Sequence, residues 1–409
     1  MNKTLMWMLA AGCVAGSFAT DARIVSMGRH DAFFMDEVSI FRNPANISIY
    51  PNMVYGSIGY YMPDSTRDSI KTQFSAMGKS NRDPVDPFWG AIVSYSLDQG
   101  TDGANQYPMI SLGAMFNRTD EMMAYFTPGN SKYLAGALDT LIQPLGKIDL
   151  LLGYVMKNGG MLGIGAYGAM NKQEKNGREL KSSLYKGNIG INWPVAKSMD
   201  LELSVGGGTM SAFAAEYGNN GLKTKKYADK DYFGKIEGRL FSALPSINGD
   251  FVPHVRVDLL ELSEKDIFQV DLAAGVGLNL NIDKGFFWSG LEFLYGQKDW
   301  QGDSTNEYIG AKISFGIEKN IWTDWLVLRA GGQKKIVFIK DGPSDYRMEE
   351  NDAANSLDDD LLGIGFGINI DNRLRVDFVV AEDVFYTLSN LISAPQHHLF
   401  NRVSATYSF

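Results

Sequence analysis

The sequence predicts an all-β protein, a transmembrane antiparallel β-barrel whose lumen is plugged by an N-terminal segment, and three observations carry that prediction. Several segments alternate apolar and polar residues over more positions than an ordinary strand of about 5 to 6 residues needs. Aromatics make up 12 % of the 409 residues, with 44 Gly and only 13 Pro, a composition that suits strands and offers little helical material. After the first twenty residues no stretch reaches the ~18 consecutive apolar residues of a membrane-spanning helix, which excludes a helical inner-membrane protein.

Residues 1–19 come first. "MNKTLMWMLAAGCVAGSFA" has a charged start at Lys3, an apolar stretch from Leu5 to Gly16 and a small-residue exit at Ser17-Phe18-Ala19, the order of a secretory signal peptide cleaved after Ala19. A variant ends the signal at "LAAGC" and makes Cys13 a lipidated first residue. Cys13 is the only cysteine, so cleavage after Ala19 leaves a mature chain with neither disulfides nor thiolate metal ligands. The formal net charge of -9 argues against a nucleic-acid partner.

Residues 52–409 form the expected barrel. From Ile267, Phe268, Val270, Leu272, Ala274, Val276, Leu278, Leu280 and Ile282 share one face, while Gln269, Asp271, Gly275, Gly277, Asn279 and Asn281 share the other. A period of two held that long can cross a bilayer at a tilt. Ile309 to Glu318, Arg373 to Phe378, Asn188 to Trp193 and Leu201 to Val205 repeat the pattern. Lys312, Glu318, Arg373, Arg375 and Asp377 thereby fall on the polar face, toward the lumen. Short turns at 157–160, 194–198, 244–249, 283–285, 319–324 and 371–372 alternate with longer charged connections at 63–86, 213–230 and 341–359, as periplasmic turns alternate with external loops. Counting strands this way gives about sixteen, with residues 107–128 the most ambiguous.

Two segments break the period of two. Leu134, Leu138, Leu141, Ile142 and Leu145, and Phe385, Leu388, Leu391 and Ile392, recur at helical spacing and predict short amphipathic helices in external loops. The last strand, "FNRVSATYSF", sets Val403, Ala405, Tyr407 and Phe409 opposite Arg402, Ser404, Thr406 and Ser408. Ending on an aromatic, it resembles the terminal signature that the outer-membrane assembly machinery reads.

Residues 20–51 precede the barrel yet contain "DAFFMDEVSIFRNPANISIYP", too apolar for a solvated tail. Phe33, Phe34, Met35, Ile40 and Phe41 need burial, and the barrel lumen is the available interior. Asn43 can cap and Pro44 can start a turn with its fixed φ, so the cluster predicts the corner where an internal plug meets the first strand. On these residues the chain resembles the FadL-type outer-membrane transporters of long-chain fatty acids and hydrophobic compounds, and the related PorV-like barrels. The likeness rests on Asp36, Phe41, Asn43, Pro44 and Ala45 and on the late stretches "WLVLRAGGQKK" and "LLGIGFGINIDNRLRVDFVVA". Asn46 stands where the transporters usually have Gly. The resemblance implies fourteen strands and a hatch gated by Phe33, Phe34, Phe41 and the Asn43-Pro44-Ala45 corner. It also implies a ligand-entry helix carrying Leu134, Leu138, Leu141 and Ile142. The implied function is passage of hydrophobic small molecules, the alternative an accessory barrel that holds a secreted protein and transports nothing. Outer-membrane lipid is a partner either way.

Other motifs have plainer readings. Gly163, Gly165 and Gly168 have GxGxxG spacing but lie inside an alternating strand with no helix after them, which favours strand packing or lumen space over a nucleotide site. His30, His254, His397 and His398 show no metal-ligand spacing, and no GxSxG occurs, so no enzyme, metal or cofactor is expected. Glu349, Glu350, Asp352, Asp358, Asp359 and Asp360 read as a solvated acidic loop.

Overall fold

The strand Gly146–Val155 inverts the burial rule of a soluble protein. Lys147 and Asp149 are buried, while Leu150 is 52 % and Leu152 44 % exposed. That pattern runs round the whole sheet: Ile58, Trp89, Leu112, Ile164, Ile189, Val205, Leu291, Phe293 and Ile313 all face outward. Only hydrocarbon outside and a polar lumen inside accommodate such a wall.

The computed structural model describes residues 21–60, 84–97, 108–126, 142–348, 361–380 and 400–409, apart from loop-tip positions 29–30, 176–177, 219–220, 263–266, 301–303, 322, 343 and 372. The wall strands are β1 (Met53–Tyr60), β2 (Pro84–Ser96), β3 (Met109–Phe116), β4 (Gly146–Val155), β5 (Met161–Lys175), β6 (Arg178–Ala196), β7 (Met199–Gly218) and β8 (Gly221–Leu244). They continue as β9 (Gly249–Leu262), β10 (Ile267–Ile282), β11 (Gly285–Trp300), β12 (Ser304–Asn320), β13 (Leu326–Asp341), β14 (Leu361–Ile370), β15 (Leu374–Val380) and β16 (Phe400–Ser408). All neighbours pair antiparallel, and β1 closes the ring on β16 from Met53 opposite Ser408 to Gly59 opposite Arg402. Of the seventeen strands in the sheet, the two-residue Arg347–Met348 pairs only with β13. The other sixteen are the wall, the number counted from the alternation and not the fourteen that the family resemblance implies. The protein is a bacterial outer-membrane β-barrel.

The short turns fall where expected. Asn248, Lys284 and Asp371 adopt positive φ in three of them. Asn and Asp tolerate that region better than most residues. Connections differ more. Residues 213–218 and 221–230, expected in a loop, continue β7 and β8, so that β8 reaches 24 residues. Arg373 is exposed beside the turn at Asp371, while Arg375 and Asp377 are buried in the lumen. Its place on the polar face does not suffice, because it precedes the first residue of β15. Ile142 to Leu145 carry no helix. Leu134, Leu138, Leu141, the helix at 383–395, the acidic positions 349–360 and the proposed signal peptide lie outside the described residues.

Ile189 in β6 is 62 % exposed on the outer face. Ile189→Arg should cost on the order of 2–4 kcal/mol of unfolding free energy in vesicles, measured by reversible urea titration. A similar Arg at inward Asn188 should escape that lipid penalty.

Candidate functional site

Residues 21–50 form a hatch packed against inward faces in the turn-side half of the barrel. It contains two short helices, α1 (Asp21–Ser26) and α2 (Ser39–Arg42), followed by a 3₁₀ helix, Pro44–Ile49. Asn43 caps the 3₁₀ helix: its side-chain oxygen accepts from the Ala45 N–H at 3.1 Å, with Pro44 occupying the first position. Asp36 does the same for the turn into α2, accepting from the Val38 N–H at 3.2 Å.

The first seat is electrostatic. Arg23 of α1 reaches Glu318 of β12 at 2.8 Å and Asp36 at 3.3 Å. Glu318 also meets Arg329 of β13 at 2.6 Å and Arg375 of β15 at 3.1 Å. Asp377 of β15 closes the network, 2.8 Å from Arg329 and 3.0 Å from Arg375. Every member is nearly inaccessible to solvent, so each charge requires its partner.

The second seat holds Phe33 and Phe34. Phe33 is fully buried over Gly277 of β10 and Gly290 of β11, where a Cβ would stand 2.4 Å and 2.1 Å from its ring. No side chain larger than hydrogen fits there without moving the ring. Its carbonyl accepts from Asn279 at 2.6 Å, and its ring lies edge-on to His254 with centroids 5.9 Å apart. Phe34 packs between Trp288 and Phe286. Arg239 of β8 donates to the carbonyls of Asp31, Ala32 and Phe34 at 3.1, 3.4 and 3.0 Å while paired to Glu202 of β7 at 2.5 Å. Nearby, Arg42 is salt-bridged to Asp31 and to Glu237.

The third seat takes the Asn43-Pro44-Ala45 corner. A Cβ on Gly163 of β5 would come within 2.2 Å of the Pro44 and Ala45 backbone, so of the three glycines in GxGxxG spacing the first makes room for the corner. Asn43 donates to the Ile191 carbonyl at 2.9 Å, and Asn46 accepts from Asn192 at 3.3 Å. Ile40 and Ile47 pack with Met53, Tyr55, Phe88 and Ile92 of β1 and β2. Phe41 is only half-buried; its carbonyl accepts from Asn188 and its ring lies 4.1 Å under the Arg118 guanidinium.

Above the hatch the lumen changes character twice. First comes a polar layer: Arg118 pairs with Asp149 at 2.7 Å, and Asp120 with Lys186 at 3.1 Å. Burial would raise the Asp120 carboxyl, but Lys186 and Arg118 outweigh it and hold it down at about 2, so the Asp120 carboxylate stays charged in moderate acid. A cavity of about 10 Å³ beside Phe41, Arg118 and Lys186 has room for one water. Higher still, Met123 and Phe126 of the 3₁₀ helix Glu121–Phe126 pack on inward Tyr167, Ala169, Leu184, Met210, Ala212, Leu260, Leu262 and Ile267. The expected polar face did not foretell this apolar lining, because most of these positions lie beyond the stretches where alternation is cleanest.

Sequence reasoning placed Asn188, Asn192, Glu202, Asn279, Glu318, Arg375 and Asp377 on polar faces, and the structure brings all seven to the hatch or its network. It did not single out Arg23, Arg118, Arg239 or Glu237. His254, dismissed as a metal ligand, is buried with its ring nitrogens 3.0 Å from Glu237 and 3.2 Å from Glu292.

Fold and site together define an outer-membrane β-barrel with a hatch bolted across its lumen. Comparison of the sequence with protein-family models and with curated proteins finds no match. Among solved structures the chain is similar to CdiB from Escherichia coli (TM-score 0.40, 8 % identity, 87 % of this chain and 63 % of that one). It is also similar to OmpT of Vibrio cholerae (TM-score 0.33, 11 % identity, 87 % and 96 %) and to the Pseudomonas putida toluene transporter TodX (TM-score 0.29, 9 % identity, 95 % and 96 %). The chain thus spans less than two thirds of CdiB.

Phe33→Ala should loosen the hatch by on the order of 3–5 kcal/mol, the usual range for an emptied Phe site. Gly290→Leu should unseat the same ring from the opposite side. Faster proteolytic cleavage between residues 21 and 50, with the barrel still heat-modifiable on gels, is the expected readout for both. Arg239→Met leaves Glu202 buried without its cation and should destabilise by roughly 3–5 kcal/mol. Adding Glu202→Gln should recover much of that loss in the same urea titration.

Proposed function

We propose that the protein passes hydrophobic small molecules across the outer membrane, taking them at its outer mouth and releasing them when the hatch shifts. The apolar cluster inside the outer half of the barrel carries this reading, since a barrel lumen is ordinarily polar. The cluster includes Met123 and Met210, side chains that adapt to varied apolar shapes. An apolar solute leaving the polar sugar layer for such a surface gains on the order of 25 cal/mol per Å² removed from water. Phe33, Phe34, Phe41 and the Asn43-Pro44-Ala45 corner are the proposed gate, and the segment carrying Leu134, Leu138, Leu141 and Ile142 the proposed entry. The resemblance to FadL-type transporters points the same way.

A second reading, a PorV-like accessory barrel that holds a protein partner, is favoured by a different observation. Between the apolar cluster and the hatch stands the ion-paired layer, and the cavity beside Phe41 is water-sized. On this reading the lumen is filled for rigidity, and the external segments do the binding.

Mass spectrometry of solvent extracts from the detergent-purified barrel tests the two. The transporter reading expects a stoichiometric apolar compound, lost on Met210→Asp, which charges the apolar lining, and altered in amount by Phe41→Ala. An empty wild-type barrel that co-purifies with one protein in stoichiometric amount would overturn it in favour of the accessory reading.

A further inference from the structure

We propose that Glu37 is a proton-dependent latch: it sits protonated in the docked hatch, and loss of its proton drives the hatch from its seat. Glu37 is 1 % exposed, and apart from its own backbone N–H neither oxygen of its carboxyl meets a described donor. An ionised carboxylate so placed would be buried without solvation. A protonated one needs a single acceptor, and the neighbouring Asp36 carboxylate is within hydrogen-bonding reach.

The surrounding charges lead to the same conclusion. Glu37 interacts with Arg23 of α1, with Asp36 and Tyr50 of the hatch and with Arg375 of β15; Glu318, Arg329 and Asp377 complete the network around Arg23 and Arg375. Three guanidiniums, of Arg23, Arg329 and Arg375, are matched one for one by the carboxylates of Asp36, Glu318 and Asp377. Asp31, the next acid along the hatch, has its own partner in Arg42. Glu37 is therefore a fourth carboxyl in a site with three cations. The cluster is neutral with Glu37 protonated and holds an uncompensated buried negative charge without that proton.

Burial pushes the Glu37 carboxyl well above its ordinary range and Asp36 up to about 7, each further raised or restrained by its neighbours. Adjacent and interacting, the two titrate as a pair. A docked hatch thus keeps a proton that a solvated hatch has released above the ordinary carboxylate range of about 4. Docking is strongest in acid, weakens as pH rises through about 7, and goes on weakening by up to about tenfold per pH unit until Glu37 also ionises.

The test uses the full-length barrel in lipid vesicles. Cys13 is the only native cysteine, so Ser39→Cys, at a fully buried hatch position, adds a reporter thiol whose signal is read over the unsubstituted protein. Its maleimide reactivity is normalised at each pH to that of Lys157→Cys in an exposed turn, which removes the thiol's own pH dependence. Between about pH 6 and about pH 9 the normalised reactivity should rise at least roughly tenfold. With Glu37→Gln, a neutral stand-in for the protonated acid, only the step that Asp36 makes near about pH 7 should remain, and the further rise toward about pH 9 should be absent. A flat wild-type response, the same rise with Glu37→Gln, or a Glu37→Gln hatch exposed at every pH would each overturn the proposal. Should Glu37→Gln fail to form a heat-modifiable barrel, infrared spectroscopy of the wild type decides: the carbonyl stretch of a buried protonated carboxyl should be present at neutral pH and fade over the pH range in which labelling rises. Its absence at neutral pH would overturn the latch.

Discussion

A barrel wall in hydrocarbon disfavours charge on its outer face, so ionisable residues of the spanning strands mostly turn inward; Lys334, outward opposite Ile313, is an exception. The rest of the structure follows from that constraint. Glu202, Arg239, Glu318, Arg329, Arg375 and Asp377 are driven into one narrow lumen, where each is acceptable only if matched. The wall does not match them alone. Arg23 of the hatch supplies a third cation around Glu318, and the carbonyls of Asp31, Ala32 and Phe34 take the donors that Arg239 does not give to Glu202. The hatch is therefore part of the wall's electrostatics, and the wall is part of the hatch's solvation.

Charge fixes where the hatch can sit, and glycine fixes how close it can come. Phe33 lies flat against β10 and β11 because Gly277 and Gly290 present bare backbone, and the Pro44-Ala45 backbone meets Gly163 in the same way. Contacts of this kind are specific and brittle. They reward one register of the hatch and offer little to a shifted one, so that the hatch should move as a body rather than slide. Buried ion pairs strengthen that tendency, since breaking one strands both partners in low dielectric.

The parts legible in the sequence are those governed by a single local rule. Alternation at Ile309 to Glu318 placed Ile313 outward and Glu318 inward without any partner being known, and it gave the sixteen-strand count against the fourteen suggested by family likeness. Asn43 before Pro44 announced a cap. What escaped depends on two distant segments at once. Arg239 is one basic residue among many until β7, β8 and the hatch converge on it, and no spacing joins Arg23 to Glu318 across 295 positions. The apolar cluster of Tyr167, Leu184, Met210 and Leu260 escaped for another reason. Inside a barrel, an apolar residue facing inward breaks the very pattern used to assign faces. Arg373 marks the opposite limit, because a face predicted from parity has no meaning once the strand has ended.

The lumen is therefore layered: apolar beneath the outer mouth, ion-paired around Arg118 and Lys186, then the hatch. Between the apolar cluster at Leu184 and Met210 and the hatch lie the Arg118–Asp149 and Lys186–Asp120 pairs. Yet Arg118 also lies over the Phe41 ring, so the polar layer and the hatch share a residue. Anything that reorganises the segment from Arg118 to Phe126 must disturb the hatch as well. The polar layer and the hatch are thus coupled through one guanidinium, whose partners come from an outer connection, from the wall and from the hatch.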